Sequence, residues 1–120
     1  MKTLESILRE RSFLLDGGMG TQIFAYKPTA EDYGGIQLEG CPEILNRRRP
    51  GWIRDIHQSY LDAGADGVET NTFGCNELVL SEFGLEKEAY QLNVEAAQLA
   101  QEVTLIAKEL KMVGDRGGGE

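Results

Sequence analysis

The sequence predicts an α/β fold of parallel β-α-β-α-β units. Two segments are predicted strands that end in polar residues and glycine. The apolar run Phe13–Leu15 stops at Asp16, before the glycines at 17, 18 and 20, and residues 67–74 begin as a strand at Gly67 and Val68 and end in a polar cluster closed by Gly74. A buried strand ends in this way when the backbone beyond it must come close to a ligand. Apolar residues with helical spacing lie between the two segments, within residues 50–64, and after the second one, within about residues 86–110. Residues 111–114 are predicted to begin a third strand, which completes the order, and the short turns after the helices favour parallel strands joined by right-handed crossovers.

Helix boundaries follow from spacing and from residues typical of helix ends. The first predicted helix covers residues 4–11, with Thr3 as its N-cap. The second begins at Pro50, which suits a first helical turn, and ends at Gly64, a residue type that commonly follows the last turn. A short helix is expected near residues 76–83.

The longest predicted helix covers about residues 86–110. Its inward stripe is strongly periodic and comprises Leu92, Ala96, Leu99, Val103, Ile106 and Leu110. Residues 22–46, in contrast, are irregular and contain several glycines and prolines, so we expect a long loop there. A loop of this length inside a compact domain is usually functional or ordered by other parts of the protein.

The charge balance argues against two classes of partner. The sequence has 20 acidic and 12 basic residues in 120, a formal net charge of −8, so neither nucleic acid nor an anionic membrane is an expected partner. The three arginines at residues 47–49 precede Pro50 and are interpreted as a solvated turn before a helix. No segment is apolar enough to span a membrane, and residues 1–5 do not resemble a signal peptide, so we expect a cytoplasmic protein.

Cysteine and histidine provide no recognisable metal motif. Cys41 and Cys75 lie in different segments without paired spacing, which argues against a disulfide framework or a local zinc site and predicts free thiols. His57 lies on the inward face of the second predicted helix, so we interpret it as a core or hydrogen-bonded residue.

The candidate site follows from the predicted strand ends. In parallel α/β folds, ligands bind beyond the carboxyl ends of the strands. This rule places five residues together: Asp16, Gly17, Glu69, Asn71 and Thr72. Carboxylates there could hold an ammonium group, while backbone N–H groups and the Thr72 hydroxyl could hold a carboxylate. The sequence therefore predicts recognition of a small zwitterion.

Other interpretations of the same residues stay open. Asp16 could be a turn-forming acid that bonds to its own backbone. Glu69 could be paired with a neighbouring basic group, and the glycines of residues 17–20 could serve turn geometry alone. A phosphate loop is disfavoured, because this glycine segment lacks the lysine and spacing of a P-loop, and Ile23 stands where a dinucleotide fingerprint needs its third glycine.

Several motifs resemble the start of the homocysteine S-methyltransferase domain, most like its cobalamin-dependent members. They occur in order, at residues 15–21 (Leu-Asp-Gly-Gly-Met-Gly-Thr), 38–46 (Leu-Glu-Gly-Cys-Pro-Glu-Ile-Leu-Asn), 49–50 (Arg-Pro), 55–66 and 69–74 (Glu-Thr-Asn-Thr-Phe-Gly). The resemblance extends from about residue 10 to residue 114. We therefore assign residues 1–114 to this domain and residues 115–120 to a divergent glycine-rich tail.

The resemblance implies the first part of a (β/α)8 TIM barrel, truncated near its third strand. It also implies a methyltransferase of methionine biosynthesis, which methylates a zinc-activated homocysteine thiolate. The three zinc-binding cysteines of such members lie in later strands, beyond this sequence. Cobalamin would act through other modules of a full-length enzyme, and the sequence does not identify the methyl donor.

The resemblance also implies residue roles. Asp16 would accept the homocysteine ammonium group, Gly17 would donate its backbone N–H to the carboxylate, Thr72 would donate its hydroxyl, and Phe73 would form an apolar wall. Glu69 and Asn71 would support them.

The expected partners are homocysteine, the remaining half of the barrel and, in a full-length enzyme, cobalamin or folate modules. The tail is expected to mark a truncation or an altered reading frame, and the chain alone is expected to be inactive. The alternative is a non-catalytic, truncated remnant that is prone to interactions.

Overall fold

The protein is mainly helical in a computed structural model that describes the backbone of residues 3–118 and the side chains of residues 3–105. The α-helices are α1 (Leu4–Glu10), α2 (Gly20–Ala25), α3 (Ala30–Tyr33), α4 (Leu45–Arg48), α5 (Pro50–Asp62), α6 (Glu77–Ser81) and α7 (Ala89–Gly118). Short 3-10 helices lie at Ile36–Leu38, Pro42–Ile44 and Glu86–Glu88.

The predicted α/β fold is wrong. Residues 3–118 contain no β-strand, and the first two predicted strands meet only in an isolated parallel bridge between Leu15 and Gly67. The third predicted strand, residues 111–114, lies inside α7. A strand is stable only where neighbouring strands and a buried face support it, and one bridge supplies neither. The parallel units, and with them the first part of a TIM barrel, are therefore not present in this structure.

The two extended segments nevertheless lie side by side. Asp66 joins them, because its carboxylate accepts the Leu14 N–H at 2.8 Å and two guanidinium N–H groups of Arg11 at 2.7 Å. The Asp16 N–H then donates to the carbonyl of Gly67 at 3.1 Å. These contacts align the ends of both segments, although no sheet forms.

Helix ends follow the sequence signals closely. The Thr3 hydroxyl caps α1 by accepting the Ser6 N–H at 3.1 Å, as predicted. Pro50 is the first residue of α5, and Gly64 follows that helix with a φ of 110°, a conformation that favours glycine. Residues 76–83 contain α6, with Asn76 as its N-cap.

The long loop predicted for residues 22–46 is instead mostly short helices. Helix α2 includes Ile23, which is buried, and α3 is held by a capping box between Thr29 and Asp32. Gly34 and Gly35, both with positive φ, separate α3 from the next turn. Because each helical piece has at most six residues, no periodic stripe marked it in the sequence.

The core lies where α4 and α5 pack against α7. Its fully buried side chains include Leu45, Ile53 and Leu92. At the edge, the Arg47 guanidinium contacts the carboxylates of Glu88 at 2.7 Å and Glu95 at 2.8 Å. These two ion pairs connect α4 to the 3-10 helix Glu86–Glu88 and to α7.

None of the helices in the described part of the chain is long and apolar enough to cross a membrane.

Candidate functional site

The predicted site residues line a single cavity of about 390 Å³. It lies beyond the Leu15–Gly67 bridge, where the two extended segments end. Its lining consists of Asp16, Gly17, Gly18, Met19, Gly20, Pro42, Glu43, Glu69, Thr70, Asn71, Thr72 and Phe73. All six residues assigned from the sequence are among them. The residues described around the cavity contribute three carboxylates and no basic side chain.

Asp16 bonds across the cavity rather than to its own turn. Both of its carboxylate oxygens lie 3.1 Å from the backbone N of Glu69 and accept that N–H. A carboxylate has about four lone-pair positions, so one backbone donor leaves room for a ligand's ammonium group. The interpretation of Asp16 as a purely local turn residue therefore has no support from this geometry.

Gly17 packs closely against Tyr60 of α5. A Cβ atom at this position would lie 3.1 Å from the Tyr60 ring carbon Cε1 and 3.1 Å from its hydroxyl oxygen. The same hydroxyl donates to the carbonyl of Gly18 at 2.7 Å. The described residues with positive φ do not include Gly17, Gly18 or Gly20, so turn geometry does not explain these glycines. The missing side chain lets α5 hold the loop against the cavity.

The second segment presents a hydroxyl and an aromatic ring. The side-chain oxygens of Thr70 and Thr72 lie 2.7 Å apart, and either can be the donor. Thr72 can therefore accept from Thr70 and direct its own proton into the cavity. Phe73 is fully exposed, at 101% of its reference area. An exposed aromatic ring at a cavity edge offers apolar contact area to a ligand.

Asn71 is buried and fixes this segment from behind. Its amide donates to the carbonyl of Pro42 at 2.9 Å, while the Asn46 amide donates to the Asn71 carbonyl at 2.8 Å. Asn71 thus ties residues 42–46 to the cavity wall. Its contacts favour a supporting role over direct binding of a ligand.

Glu69 has an exposed side chain and lines the cavity. None of the ion pairs among residues 3–105 involves it, so pairing with a neighbouring basic group does not occur there. Its backbone N–H serves Asp16.

Sequence reasoning did not assign the other six lining residues to the site: Gly18, Met19, Gly20, Pro42, Glu43 and Thr70. Glu43 is only 5% exposed, and its carboxylate accepts the Gly74 N–H at 3.1 Å. The sequence signal for Glu43 is the motif at residues 38–46, which resembles the family and falls inside the predicted long loop. An acid within a motif of that loop could have been assigned to the site.

Comparison with known proteins identifies the family. The model of the family described as homocysteine S-methyltransferase matches residues 13–118. The chain belongs to the homocysteine S-methyltransferase family. Methionine synthase of Mycobacterium tuberculosis is 49% identical over 82 residues, which are 68% of this chain. Methionine synthase of Mycobacterium leprae is 45% identical over 86 residues, which are 72% of it. The chain matches only 7% of the length of each relative.

The zinc implied by resemblance to this family does not fit the side chains described here. Among residues 3–105, no group of three or more histidine, cysteine, aspartate or glutamate side chains is arranged to hold a metal ion. Cys41 and Cys75 are free and buried. Burial raises the pKa of both thiols, that of Cys75 to about 11, so both are in the protonated form that binds metals poorly.

His57 is a core residue, as predicted. It is fully buried on α5, and neither ring nitrogen has a hydrogen-bond partner among the described residues. Burial lowers the pKa of His57, and the charge of Asp16 opposes this effect only in part. With its pKa lowered from the ordinary 6.5, His57 is neutral in the folded protein at neutral pH.

Proposed function

We propose that this chain forms the part of a homocysteine S-methyltransferase that binds the amino acid head group of homocysteine. The observation that carries the proposal is the shared cavity of Asp16, Gly17 and Thr72, which come from two segments far apart in sequence. Together they offer a carboxylate, a backbone N–H and a hydroxyl. These are the groups that an α-amino acid zwitterion requires.

Each residue has a distinct proposed role. Asp16 accepts from the ammonium group, the Gly17 N–H donates to the carboxylate, and the Thr72 hydroxyl donates to it as well. Phe73 covers the apolar part of the ligand. Glu69 adds negative charge beside the ammonium group, and Asn71 holds the second segment in place.

The acidic lining supports a ligand with a positive charge. Three carboxylates face or border the cavity, and no basic side chain described there balances them. An ammonium group would supply the balancing charge in a partly buried place, where charge-assisted hydrogen bonds are strong. The anionic end of the ligand would then bind at the neutral donors, Gly17 and Thr72.

We infer that the complete polypeptide transfers a methyl group to the homocysteine sulfur. In that reaction the donor–methyl bond breaks, the sulfur–methyl bond of methionine forms, and the thiol proton is lost. The zinc chemistry of the family, and any cobalamin or folate module, would come from outside the described residues. The chain alone is expected to bind without catalysis, because a thiol with an ordinary pKa of about 8.5 stays mostly protonated at neutral pH.

The cytoplasm is the location that we propose for this function. Cys41 and Cys75 are unpaired thiols, and such thiols stay reduced in that compartment.

Calorimetric titration of the purified 120-residue chain with three thiols tests the proposal. We expect L-homocysteine to bind more tightly than 4-mercaptobutanoic acid, which lacks the ammonium group, and more tightly than 3-aminopropane-1-thiol, which lacks the carboxylate. Equal affinity for all three would contradict recognition of the head group. No binding of L-homocysteine would contradict the proposal itself.

A further inference from the structure

Glu43 joins the cavity to the segment that carries Thr72. It lies in the 3-10 helix Pro42–Ile44, lines the cavity and is 5% exposed. One carboxylate oxygen accepts the Gly74 N–H at 3.1 Å, and the other lies 3.7 Å from the Cys41 sulfur. Neither contact, with Gly74 or with Cys41, is with a basic residue.

The Glu43 contact closes a tight turn. The Cys75 N–H donates to the Thr72 carbonyl at 3.0 Å, so residues 72–75 form a turn with Gly74 inside it. Because Glu43 holds the Gly74 N–H, it fixes the turn that presents Thr72 and Phe73 to the cavity.

Gly74 is shaped for this contact. A Cβ atom there would lie 3.0 Å from Val79 Cγ1 and 3.3 Å from the carboxyl carbon of Glu43. A side chain at this position would press on Val79 and on the Glu43 carboxylate, so either these side chains or the turn would have to shift. Its φ is outside the left-handed region, so close approach and not backbone conformation explains the glycine.

We propose that Glu43 is a positioning residue for head-group binding, acting through the Gly74 N–H on the Thr72 hydroxyl. The inference rests on the proposed function, because it concerns the same cavity. It assigns to Glu43, the buried acid of residues 38–46, a role beyond its place in the lining of the cavity. The essential property is a hydrogen-bond acceptor at this position, and the negative charge is secondary.

Two substitutions separate these properties. Glu43→Gln keeps an acceptor oxygen for the Gly74 N–H, whereas Glu43→Leu removes it. We expect Glu43→Gln to bind L-homocysteine within about threefold of the wild type and Glu43→Leu to bind about tenfold more weakly, the scale of one hydrogen bond. Glu82→Leu is the matched control, because it makes the same chemical change at an exposed position, and it should leave the affinity unchanged.

A ligand without a carboxylate distinguishes positioning from general destabilisation. Since the Thr72 hydroxyl is proposed to contact the carboxylate, Glu43→Leu should weaken the binding of L-homocysteine by a clearly larger factor than the binding of 3-aminopropane-1-thiol. A general loss of folded protein would lower both affinities by the same factor. Gly74→Ala should also weaken homocysteine binding, and should add little in the Glu43→Leu background, because both changes displace the same turn.

Hydrogen exchange at the backbone amides of residues 72–75 completes the experiment. Exchange should be faster in Glu43→Leu than in the wild type and nearly unchanged in Glu43→Gln. Wild-type affinity in Glu43→Leu, or equally weak binding in both variants, would overturn the positioning role. If the wild type bound no homocysteine, the proposed function would fail. Unchanged hydrogen exchange in Glu43→Leu would separately contradict the claim that Glu43 holds the turn of residues 72–75.

Discussion

Asp16 and Glu69 are joined by a hydrogen bond that spans 53 residues of sequence, with both carboxylate oxygens of Asp16 3.1 Å from the Glu69 backbone nitrogen. The bond lies at the point where two extended segments end side by side. It orients the Asp16 carboxylate at the cavity, as a ligand-binding acid requires. It also gives Asp16 a second, structural role that experiments must separate from binding.

Asp16→Asn separates the two roles. The asparagine side chain keeps an oxygen that can accept the Glu69 N–H, but it loses the negative charge that would bind an ammonium group. We expect the affinity for L-homocysteine to fall by about 10- to 100-fold, the scale of a charged hydrogen bond. The free energy of unfolding should change by less than about 1 kcal/mol.

Affinity and denaturant unfolding are measured on the same preparations. The control ligand is 4-mercaptobutanoic acid, whose binding should not weaken, because it has no ammonium group for Asp16 to hold. An unchanged homocysteine affinity would remove Asp16 from the binding site.

Gly17→Ala tests the packing of the cavity loop against α5. The new Cβ atom would lie 3.1 Å from Tyr60, so the loop or the ring must move. We expect a loss of about 1 to 3 kcal/mol in the free energy of unfolding, as for other overpacked sites. Gly20→Ala is the matched control, since a Cβ there meets nothing within 4 Å and alanine favours the helix that begins at this residue. A Gly17→Ala protein as stable as Gly20→Ala would contradict this packing role.

Four of the helices, α1, α5, α6 and α7, could be predicted because their signals are local. Thr3 and Pro50 determine where α1 and α5 begin, and Gly64 determines where α5 ends. The apolar stripe of α7, which includes Leu92 and Leu99, was visible as a 3.6-residue period because one side of that helix is buried.

The strands could not be predicted correctly from their apolar runs. Strand formation depends on neighbours, and residues 13–16 find only Gly67 for a single bridge. For residues 111–114, a short apolar run fits a strand or a continuing helix equally well, and in the structure α7 continues through it. Asp16 and Thr72 nevertheless line one cavity without a sheet between them, because the two extended segments end side by side; their roles in binding stay predictions.

The pairing of Asn46 with Asn71 is expected to stabilise the cavity wall. Each amide donates to a carbonyl of the other segment, the Asn46 amide to Asn71 and the Asn71 amide to Pro42. Asn46→Ala leaves the buried Asn71 carbonyl unsatisfied, so we expect a loss of about 1 to 3 kcal/mol in the free energy of unfolding. A double-mutant cycle with Asn71→Ala should give a coupling energy of at least about 0.5 kcal/mol. Strictly additive effects would show that the two side chains act independently.

The burial of His57 predicts that the folded protein loses stability as the pH falls. Burial lowers the pKa of His57 below its ordinary value of 6.5 in the folded state, so the unfolded chain binds the proton more readily. Between the folded-state pKa and 6.5, stability therefore rises with pH, and it is lost as the pH falls below 6.5. Asp16 supplies a negative charge that favours protonation but does not cancel the effect of burial.

The measurement is the free energy of unfolding between about pH 7.5 and about pH 5.5, a range in which ordinary carboxylates stay ionised. His57 is the single histidine of the sequence, so His57→Leu removes the group without leaving another that titrates in the same way. We expect the wild type to lose stability on acidification and His57→Leu to lose markedly less. The imidazole resonances of the wild type should report the lowered pKa directly. Parallel pH profiles of the two proteins would show that His57 does not carry the dependence, and an imidazole pKa at or above 6.5 would contradict its neutral burial.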